Sequence, residues 1–206
     1  MDKFIKRTIW QQLIKSLKQK EISILLGPRQ VGKTTLILKL IDYLKEKSVE
    51  EKNIFYYNLD DINLRIKIKK NFKFIKNDIE LKIGCSLKDY HQKIYLFIDE
   101  GQKAPAIFEL TKIFYDTNLK IKTFISGSSS INIKNKSAET LSGRVAYFYL
   151  YPFTFSEIIE RDFGFYQLIE NIKSEIILKQ LAGNGYRNIE ELKQILDKTL
   201  FLGSLP

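Results

Sequence analysis

The sequence predicts an α/β protein in which a mostly parallel five-stranded core sheet is followed by a short helical region. Three observations lead to this fold class: five short apolar runs, helical periodicity between most of them, and a helical pattern alone after about residue 160. Since parallel strands need long crossover connections, strands separated by helices favour a parallel sheet with both faces covered.

The five apolar runs are the predicted strands. They are "EISILL", "IFYYNLD", "KIYLFIDE", "IKTFISG" and "RVAYFYLY", at residues 21–26, 54–60, 93–100, 121–127 and 144–151. Each is a buried-strand pattern of apolar residues rather than a helical one. A glycine-rich loop follows the first run, so the first two strands with the helix between them form a βαβ unit.

Apolar residues at helical spacing predict the helices. Ile5, Ile9, Leu13 and Leu17 recur at every fourth position, which predicts a basic amphipathic helix before the first strand. Helices are also predicted at 34–47, 104–117, 166–183 and 188–203. The region 61–92 is predicted to be helical because its charges suit an exposed helix, although part of its apolar pattern alternates as in a strand.

Composition limits the class of protein. The chain has 206 residues and 44% hydrophobic content, enough for one substantial core and a small appended piece. The single cysteine, Cys85, excludes an internal disulfide and favours a reducing cytoplasm. No segment has the roughly 18 apolar residues of a membrane span, and the start of the chain lacks a signal-peptide pattern. We therefore expect a cytoplasmic protein without a membrane partner.

The net charge of +10 raises the question of an anionic partner. Most of the positive residues are lysines scattered beside Ile and Asn, which indicates compositional bias more than a binding surface. The densest basic stretch is "RIKIKKNFKFIK", residues 65–76, where aromatic residues are interleaved with lysines. This stretch is either a solvated face or a surface that contacts nucleic acid.

One loop matches a known chemical pattern at every position. "GPRQVGKT", residues 27–34, is G-x-x-x-x-G-K-T between a predicted strand and a predicted helix. The two glycines allow backbone N–H groups to approach phosphate oxygens, and the helix N-terminus favours an anion. The lysine supplies a charge for the β- and γ-phosphates, and the threonine hydroxyl suits Mg²⁺. The predicted nucleotide-binding residues are Gly27, Pro28, Arg29, Gln30, Val31, Gly32, Lys33, Thr34 and Thr35.

A second pattern indicates hydrolysis. Asp99 and Glu100 end a buried strand, where adjacent carboxylates are unfavourable unless they are used. Asp99 suits coordination of Mg²⁺ together with Thr34, and Glu100 suits polarisation of an attacking water. Alternatively, the pair opens the next loop or caps a helix. The base-selecting Asn-Lys-x-Asp of GTPases is absent, since residues 135–138 read "NKSA", so ATP is the predicted nucleotide.

Two further patterns are candidate catalytic groups. Ser126 and Ser128 end the strand "FISGS", where hydroxyls could hold the attacking water or hydrogen-bond to the γ-phosphate, although serines there also form turns. Arg144 precedes the last predicted strand and has no acid nearby in sequence. An arginine can stabilise the transition state in cis or from a neighbouring subunit, but exposed arginines are also common.

Taken in order, "LLGPRQVGKTTLI", "YYNLDD", "YLFIDEGQKAP", "FISGSSS", "ETLSGRV" and "LYPFTFSEI" resemble the bacterial and archaeal AAA-like P-loop ATPases that carry a C-terminal domain of unknown function. The resemblance implies a P-loop NTPase three-layer sandwich of the additional-strand type, with the hydrolytic strand next to the phosphate-loop strand. It assigns Lys33 and Thr34 to phosphate and Mg²⁺, Asp99 and Glu100 to metal and water, Ser126 to Ser128 to a sensor region, and Arg144 to a distal arginine. Gly101 departs from the small apolar residue usual in the family.

The resemblance also bears on domain organisation and function. It predicts an ATPase domain at 1–160, including the N-terminal helix, and a helical region at 161–206 that leads toward a missing C-terminal domain. The ending "FLGSLP" resembles the family's turn into that domain, so a fragment is expected. The implied activity is Mg²⁺-dependent ATP hydrolysis that drives a conformational switch on a protein or DNA partner, with homo-oligomers allowed. The alternative is a nucleotide-binding interaction module with little or no hydrolysis.

Overall fold

The computed structural model describes residues 4–128, 140–154 and 157. The chain divides into two compact units, one formed by Gln11–Leu150 and the other by Met1–Trp10 together with Tyr151–Pro206. The predicted helices at 166–183 and 188–203 lie outside the described residues. They and the predicted domain boundary at residue 160 stay predictions.

The larger unit is built on one five-stranded sheet. Its strands are β1 (Ile22–Gly27), β2 (Ile54–Asn58), β3 (Ile94–Asp99), β4 (Ile121–Ser128) and β5 (Val145–Tyr149). They lie in the order β2-β3-β4-β1-β5, and every pair of neighbours is parallel. The predicted α/β class and the parallel sheet are therefore confirmed. All carboxyl ends of the strands meet at one edge, which is where ligands bind in such sheets.

One detail of the predicted strand order is wrong. The strand that ends in Asp99 does not lie next to the phosphate-loop strand, because β1 pairs with β4 and β5 whereas β3 pairs with β2 and β4. The strand between them is β4, which ends at Ser128. Six consecutive residues of β4 are buried, and this apolar character on both faces suits the central position.

Five α-helices are described: α1 (Trp10–Ser16), α2 (Lys33–Glu46), α3 (Ile62–Lys70), α4 (Phe74–Ile83) and α5 (Ala106–Asp116). Short 3₁₀ turns occupy Glu51–Asn53 and Gly101–Lys103. Helix α2 buries Leu36, Leu40 and Leu44 on one face, as the spacing predicts. Among the described residues, no helix is long and apolar enough to cross a membrane.

The region 61–92 contains two helices and a non-helical end. Asp61 caps α3 by accepting a hydrogen bond from the N–H of Asn63 at 2.8 Å. Helix α4 ends at Ile83 and is followed by Gly84, whose left-handed backbone (φ 78°) is typical of a glycine after a helix. The helical prediction is thus confirmed as far as Ile83 and wrong beyond it, where the chain turns toward β3.

Helix α1 begins at Trp10, so the predicted start near Ile5 is wrong. The preceding residues are held by tertiary bonds that the periodicity did not show. The N–H of Thr8 donates to Glu157 Oε1 at 2.7 Å, and Arg7 Nε donates to Glu157 Oε2 at 3.3 Å. Both Arg7 and Glu157 are buried. A buried ion pair of this kind holds the segment before α1 in place, because breaking it would leave a charge unpaired.

Both faces of the central strands are covered. All six residues of β1 are buried, and since successive side chains point to opposite faces, helices and loops must cover both sides. On one face Phe97 of β3 stacks on Phe124 of β4 with ring centroids 5.2 Å apart. This packing holds the central strands in register and so fixes the carboxyl edge of the sheet.

A buried lysine lies near the opposite, amino edge. Lys122 of β4 is 1% exposed, and its Nζ donates to the carbonyl oxygen of Glu21 just before β1. Burial, together with repulsion from Lys93, lowers the pKa of Lys122 to about 7. Lys93 Nζ donates to the carbonyl oxygen of Leu17 at 2.8 Å, so the two lysines hold the connection from α1 to β1.

We predict that Lys122 makes stability depend on pH. The pKa of Lys122 is lower in the folded state than in the unfolded state. Between about pH 7 and pH 10 the unfolded chain therefore binds a proton that the folded chain does not. The free energy of unfolding should rise across this window by up to about 1.4 kcal/mol per pH unit. Urea unfolding at several pH values measures the slope. In Lys122→Met this contribution is lost; an unchanged slope in that variant would contradict the assignment.

Candidate functional site

The loop between β1 and α2 has the backbone that a phosphate cradle requires. Gly32, which precedes α2, has φ 89°, and Gln30 also has a positive φ of 63°. Glycine adopts this left-handed region without strain, so Gly32 is the residue type that the turn needs. The loop opens at the N-terminus of a 14-residue helix, whose dipole favours a bound anion.

Gly27, the first glycine of the loop, lies where there is no space for a side chain. A Cβ atom on this residue would lie 2.3 Å from the carbonyl oxygen of Leu150 and 3.0 Å from Val31 Cγ2. The N–H of Leu150 donates to the carbonyl oxygen of Leu26 at 2.7 Å, so the chain after β5 runs close to the start of the loop. Any larger residue would push that backbone away from the loop.

Lys33 is buried at the centre of the loop. Its Nζ donates to the carbonyl oxygens of Pro28 at 2.7 Å and Gly27 at 3.1 Å. Burial lowers the pKa of Lys33, while the charges of Glu100 and Asp99 raise it and that of Arg29 lowers it. The ammonium is thus placed among the predicted carboxylates and is held by loop carbonyls, which a phosphate oxygen could replace as its partner.

Asp99 joins three strands and the loop through its carboxylate. Thr34 Oγ1 donates to Asp99 Oδ2 at 2.6 Å, and Tyr56 Oη on β2 donates to the same oxygen at 3.2 Å. Ser126 Oγ on β4 donates to Oδ1. The residue is 1% exposed, so these neutral donors replace water around a buried carboxylate.

This arrangement fits a magnesium ion. Thr34 and Asp99 are the two residues predicted to hold the metal, and their hydroxyl and carboxylate oxygens are the hard ligands that Mg²⁺ prefers. Asp99 forms no ion pair in the described part of the chain, although its charge and that of Lys33 act on each other. Within the same residues no cluster of three or more His, Cys, Asp or Glu forms a protein-only metal site. Mg²⁺ usually binds with one or two such ligands plus substrate phosphates.

Glu100 adopts a strained backbone and is held by a neighbouring amide. Its φ of 57° lies in the left-handed region, which is unusual for a glutamate and recurs at functional sites. Its N–H donates to Ser126 Oγ at 3.2 Å, and Gln102 Nε2 donates to Glu100 Oε2 at 2.6 Å. The carboxylate therefore lies next to the loop, near Lys33, with a defined hydrogen-bond partner.

The two predicted serines have different surroundings. Ser126 is fully buried and bonded to Asp99 and to the backbone of Glu100, so it positions both acidic residues. Ser128 is half-buried, and its Oγ lies 3.4 Å from Gln102 Nε2. The structure thus brings both serines to the carboxyl edge beside the acidic pair, with Ser128 connected to Glu100 through Gln102.

Gly101 is required by packing. A Cβ atom there would lie 2.4 Å from Ile125 Cγ2, because the turn Gly101–Lys103 crosses directly over β4. With glycine at this position the turn can lie in contact with Ile125. This close contact places Gln102 within reach of both Glu100 and Ser128.

Arg144 lies away from this site. Val145 pairs with Ile22, so Arg144 is near the amino ends of the strands, separated from the loop by the length of β1, about 17 Å. Its Nε donates to Asp116 Oδ1 at 2.6 Å and its Nη2 to Asp116 Oδ2 at 3.2 Å. Its acid partner is distant in sequence: α5 brings Asp116 to it, a pairing that the sequence did not show. A cis contact with a phosphate at residues 27–34 does not fit this placement.

Two residues of the site were not among the sequence-predicted ones. They are Tyr56 and Gln102. Tyr56 lies on β2 beside β3, with Phe97 as its register partner, so its position follows from strand pairing. Burial, and then the charge of Asp99, raises the pKa of Tyr56, which keeps its hydroxyl a donor. Gln102 lies two residues after Glu100, and this short spacing could have predicted that its amide reaches the carboxylate.

Comparison with known proteins agrees with this geometry. A family model described as an AAA domain matches residues 19–159, more than half of the chain. This segment contains the whole sheet and all of the site residues described above. The match begins just before β1 and ends beyond β5.

Curated relatives come from archaea and bacteria. The uncharacterized protein MJ1637 of Methanocaldococcus jannaschii is 29% identical over 201 residues, covering 91% of this chain and 38% of the relative. An uncharacterized protein of Haemophilus influenzae is 27% identical, covering 72% of this chain and 36% of the relative. The uncharacterized protein MJ1544 of M. jannaschii is 25% identical over 228 residues, covering 94% of this chain and 46% of the relative. The chain thus spans less than half the length of these relatives.

A solved structure shows the same fold. The S. cerevisiae Hsp104–ADP complex matches with a TM-score of 0.51 and 20% identity, covering 80% of this chain and 24% of that one. At this identity the likeness concerns the fold alone. Together with the match to the AAA-domain model, the parallel five-stranded sheet and its phosphate-type loop show that the chain belongs to the AAA-domain family of P-loop ATPases.

Proposed function

We propose that this chain binds ATP with Mg²⁺ at the loop 27–34 and hydrolyses it, and that hydrolysis drives a conformational switch acting on a protein or DNA partner. The observation that carries the proposal is the set of bonds on Asp99, which joins Thr34 of the loop to Tyr56 and Ser126 on the strands either side of β3. Family membership supports ATPase-type nucleotide binding.

Each residue has a stated part in this reaction. The backbone of residues 27–32 and the Lys33 ammonium bind the phosphates of the substrate. Thr34 and Asp99 would hold Mg²⁺, which supplies charge neutralisation at the transferring phosphoryl group. Glu100 accepts the proton of the attacking water, and Ser126 keeps both acidic residues in place. Ser128 and Gln102 are close enough to Glu100 to change its hydrogen bonding when the site is filled.

A second candidate function has one observation in its favour. Glu100 Oε2 already accepts a 2.6 Å hydrogen bond from Gln102 Nε2, so this oxygen is occupied before a water reaches it. If this bond persists with ATP bound, the chain is a nucleotide-binding interaction module that hydrolyses slowly or not at all. Turnover of the wild type, measured beside ATP affinity, separates the two functions.

The first test concerns Lys33. Lys33→Ala removes the buried ammonium, and we expect ATP affinity measured by calorimetry to fall by about 100-fold, since charge-assisted bonds to phosphate are lost. Lys39→Ala is the matched control: it removes a lysine from the same helix, exposed and paired with Asp42. Equal ATP affinity in the two variants would reject the loop as the nucleotide site.

The second test concerns the base. Glu100→Gln should keep ATP affinity but lose about 10²–10⁴ in turnover, the range for loss of a positioned general base. Glu109→Gln, an exposed change in the first turn of α5, should keep the wild-type rate. Wild-type turnover in Glu100→Gln would move the catalytic role to another residue. Tight ATP binding without measurable turnover in the wild type would favour the interaction module.

The third test concerns Arg144 as a residue that acts on a neighbouring subunit. Its place at the amino edge of the sheet leaves only this route to a phosphate, and its guanidinium is paired with Asp116 in the single chain. We expect specific ATPase activity to rise with protein concentration and to fall in Arg144→Ala without loss of ATP affinity. Asp116→Asn keeps the arginine and should keep the activity. If both variants behave alike, Arg144 is a structural partner of Asp116.

The class of partner, the assembly and the location of the protein are proposals too. The partner class, homo-oligomers and the cytoplasm were predicted from the resemblance and the composition. Because the chain spans 36–46% of the length of its curated relatives, the regions outside it could supply the partner contact.

A further inference from the structure

A second concave site lies outside the nucleotide loop. A groove of about 540 Å³ is formed between α3 and the segment that joins the turn Gly101–Lys103 to α5. This volume is within the range of roughly 300–1,000 Å³ found for ligand sites. For brevity it is called the α3 groove, and its lining residues are Ile62, Arg65, Ile66, Ile68, Lys69, Lys103, Ala104, Pro105 and Ala106.

The floor and one wall of the α3 groove are apolar and open to solvent. Ile62 and Ile66 are one helical turn apart on α3 and are 62% and 47% exposed. Pro105, also exposed, faces the same groove from the start of α5. Large aliphatic side chains left this exposed and adjacent to one another are typical of a surface that another molecule covers.

The rim of the α3 groove is basic. Arg65, Lys69 and Lys103 line it, and of these only Lys103 has an acidic partner among the described residues, namely Asp60. Arg65 Nε is buried and has no hydrogen-bond partner there. Buried donors are nearly always paired in native proteins, so an orphan donor beside a groove indicates an acceptor that arrives with a ligand.

The groove is also connected to the catalytic turn. Lys103 and Ala104 line it, and Gln102, the preceding residue, donates to Glu100. A molecule that moves this short turn would change the hydrogen bond on the proposed base. The N-terminus of α5 at Ala106 opens on the same groove and adds a preference for negative charge.

We propose that the α3 groove binds an acidic, aliphatic peptide segment of a partner protein. Aliphatic side chains of the peptide pack on Ile62, Ile66 and Pro105, and a carboxylate accepts from Arg65. A nucleic acid fits less well, since the floor is apolar and aliphatic, and stacked bases favour aromatic platforms. A small carboxylate ligand would leave the exposed isoleucines in contact with solvent. The peptide is the partner on which the proposed ATPase would act, and in that respect the inference rests on the proposed function.

The test is a selection that leaves the peptide sequence open. Random dodecapeptides displayed on phage are selected on the immobilised 206-residue chain without nucleotide, and enriched peptides are synthesised for affinity measurement by fluorescence polarisation. Enriched sequences should combine Asp or Glu with Leu, Ile or Val. Arg65→Met removes the guanidinium but keeps a long, unbranched side chain, and it should weaken their binding by about 10- to 100-fold. Ile66→Asn should weaken it too, whereas Lys70→Met, on the same helix outside the groove, should not.

Several results would overturn the inference. Selection of basic or neutral peptides, or of none whose binding needs Arg65, excludes an acidic peptide site. A single-stranded oligonucleotide whose binding is lost in Arg65→Met, with peptides unaffected, would make the basic helix a nucleic-acid surface. A dimer that dissociates in Ile66→Asn would make the occupant a second copy of the chain. Because binding is measured without nucleotide, these results are independent of whether the chain hydrolyses ATP, which the turnover of the wild type decides.

Discussion

The buried carboxylate of Asp99 is the interaction on which the rest of the site depends. It is 1% exposed, and its hydrogen bonds come from hydroxyls on the loop, on β2 and on β4. Burying a carboxylate among neutral donors is tolerated only when each oxygen is satisfied. The arrangement therefore fixes three strand ends and the first turn of α2 relative to one another. It also places a negative charge that has no ion-pair partner among the described residues next to Lys33 and the loop that would carry phosphates.

The parallel sheet makes this convergence possible. Because all five strands run in the same direction, their carboxyl ends meet at one edge, and residues far apart in sequence reach the same carboxylate. The amino edge has a different character, with Lys93 and Lys122 holding the chain before β1 and Arg144 paired with Asp116. The two edges therefore separate the proposed chemistry from contacts that stabilise the fold.

Between the site and the α3 groove lies a turn of only three residues. Gly101 rests on Ile125, Gln102 donates to Glu100, and Lys103 pairs with Asp60 after β2. There is no space for even a methyl group at Gly101. Because the turn is packed this tightly, a shift of its backbone would also move Gln102. A switch in which a partner and a nucleotide influence each other could use such a tightly packed element.

Local patterns predicted much of this molecule. The loop 27–34 was recognisable because a phosphate cradle imposes a fixed spacing, and the inner strands β1, β3 and β4 were recognisable because both of their faces are buried. Contacts between distant segments could not be predicted in this way. The central place of β4, the partner of Arg144, the bond from Tyr56 to Asp99, and the tertiary bonds that delay α1 to Trp10 all depend on the packing of segments far apart in sequence.

The most direct test of the central role of Asp99 uses Mn²⁺ as a substitute for Mg²⁺. Binding of Mn²⁺ in the presence of ATP is measured by electron paramagnetic resonance. The account predicts that the protein binds Mn²⁺ with ATP and that Asp99→Asn lowers this affinity by about 10-fold or more, while Asp116→Asn does not. Circular dichroism establishes that each variant is folded. Equal Mn²⁺ affinity in the wild type and in folded Asp99→Asn would contradict the assignment of this carboxylate as the metal ligand.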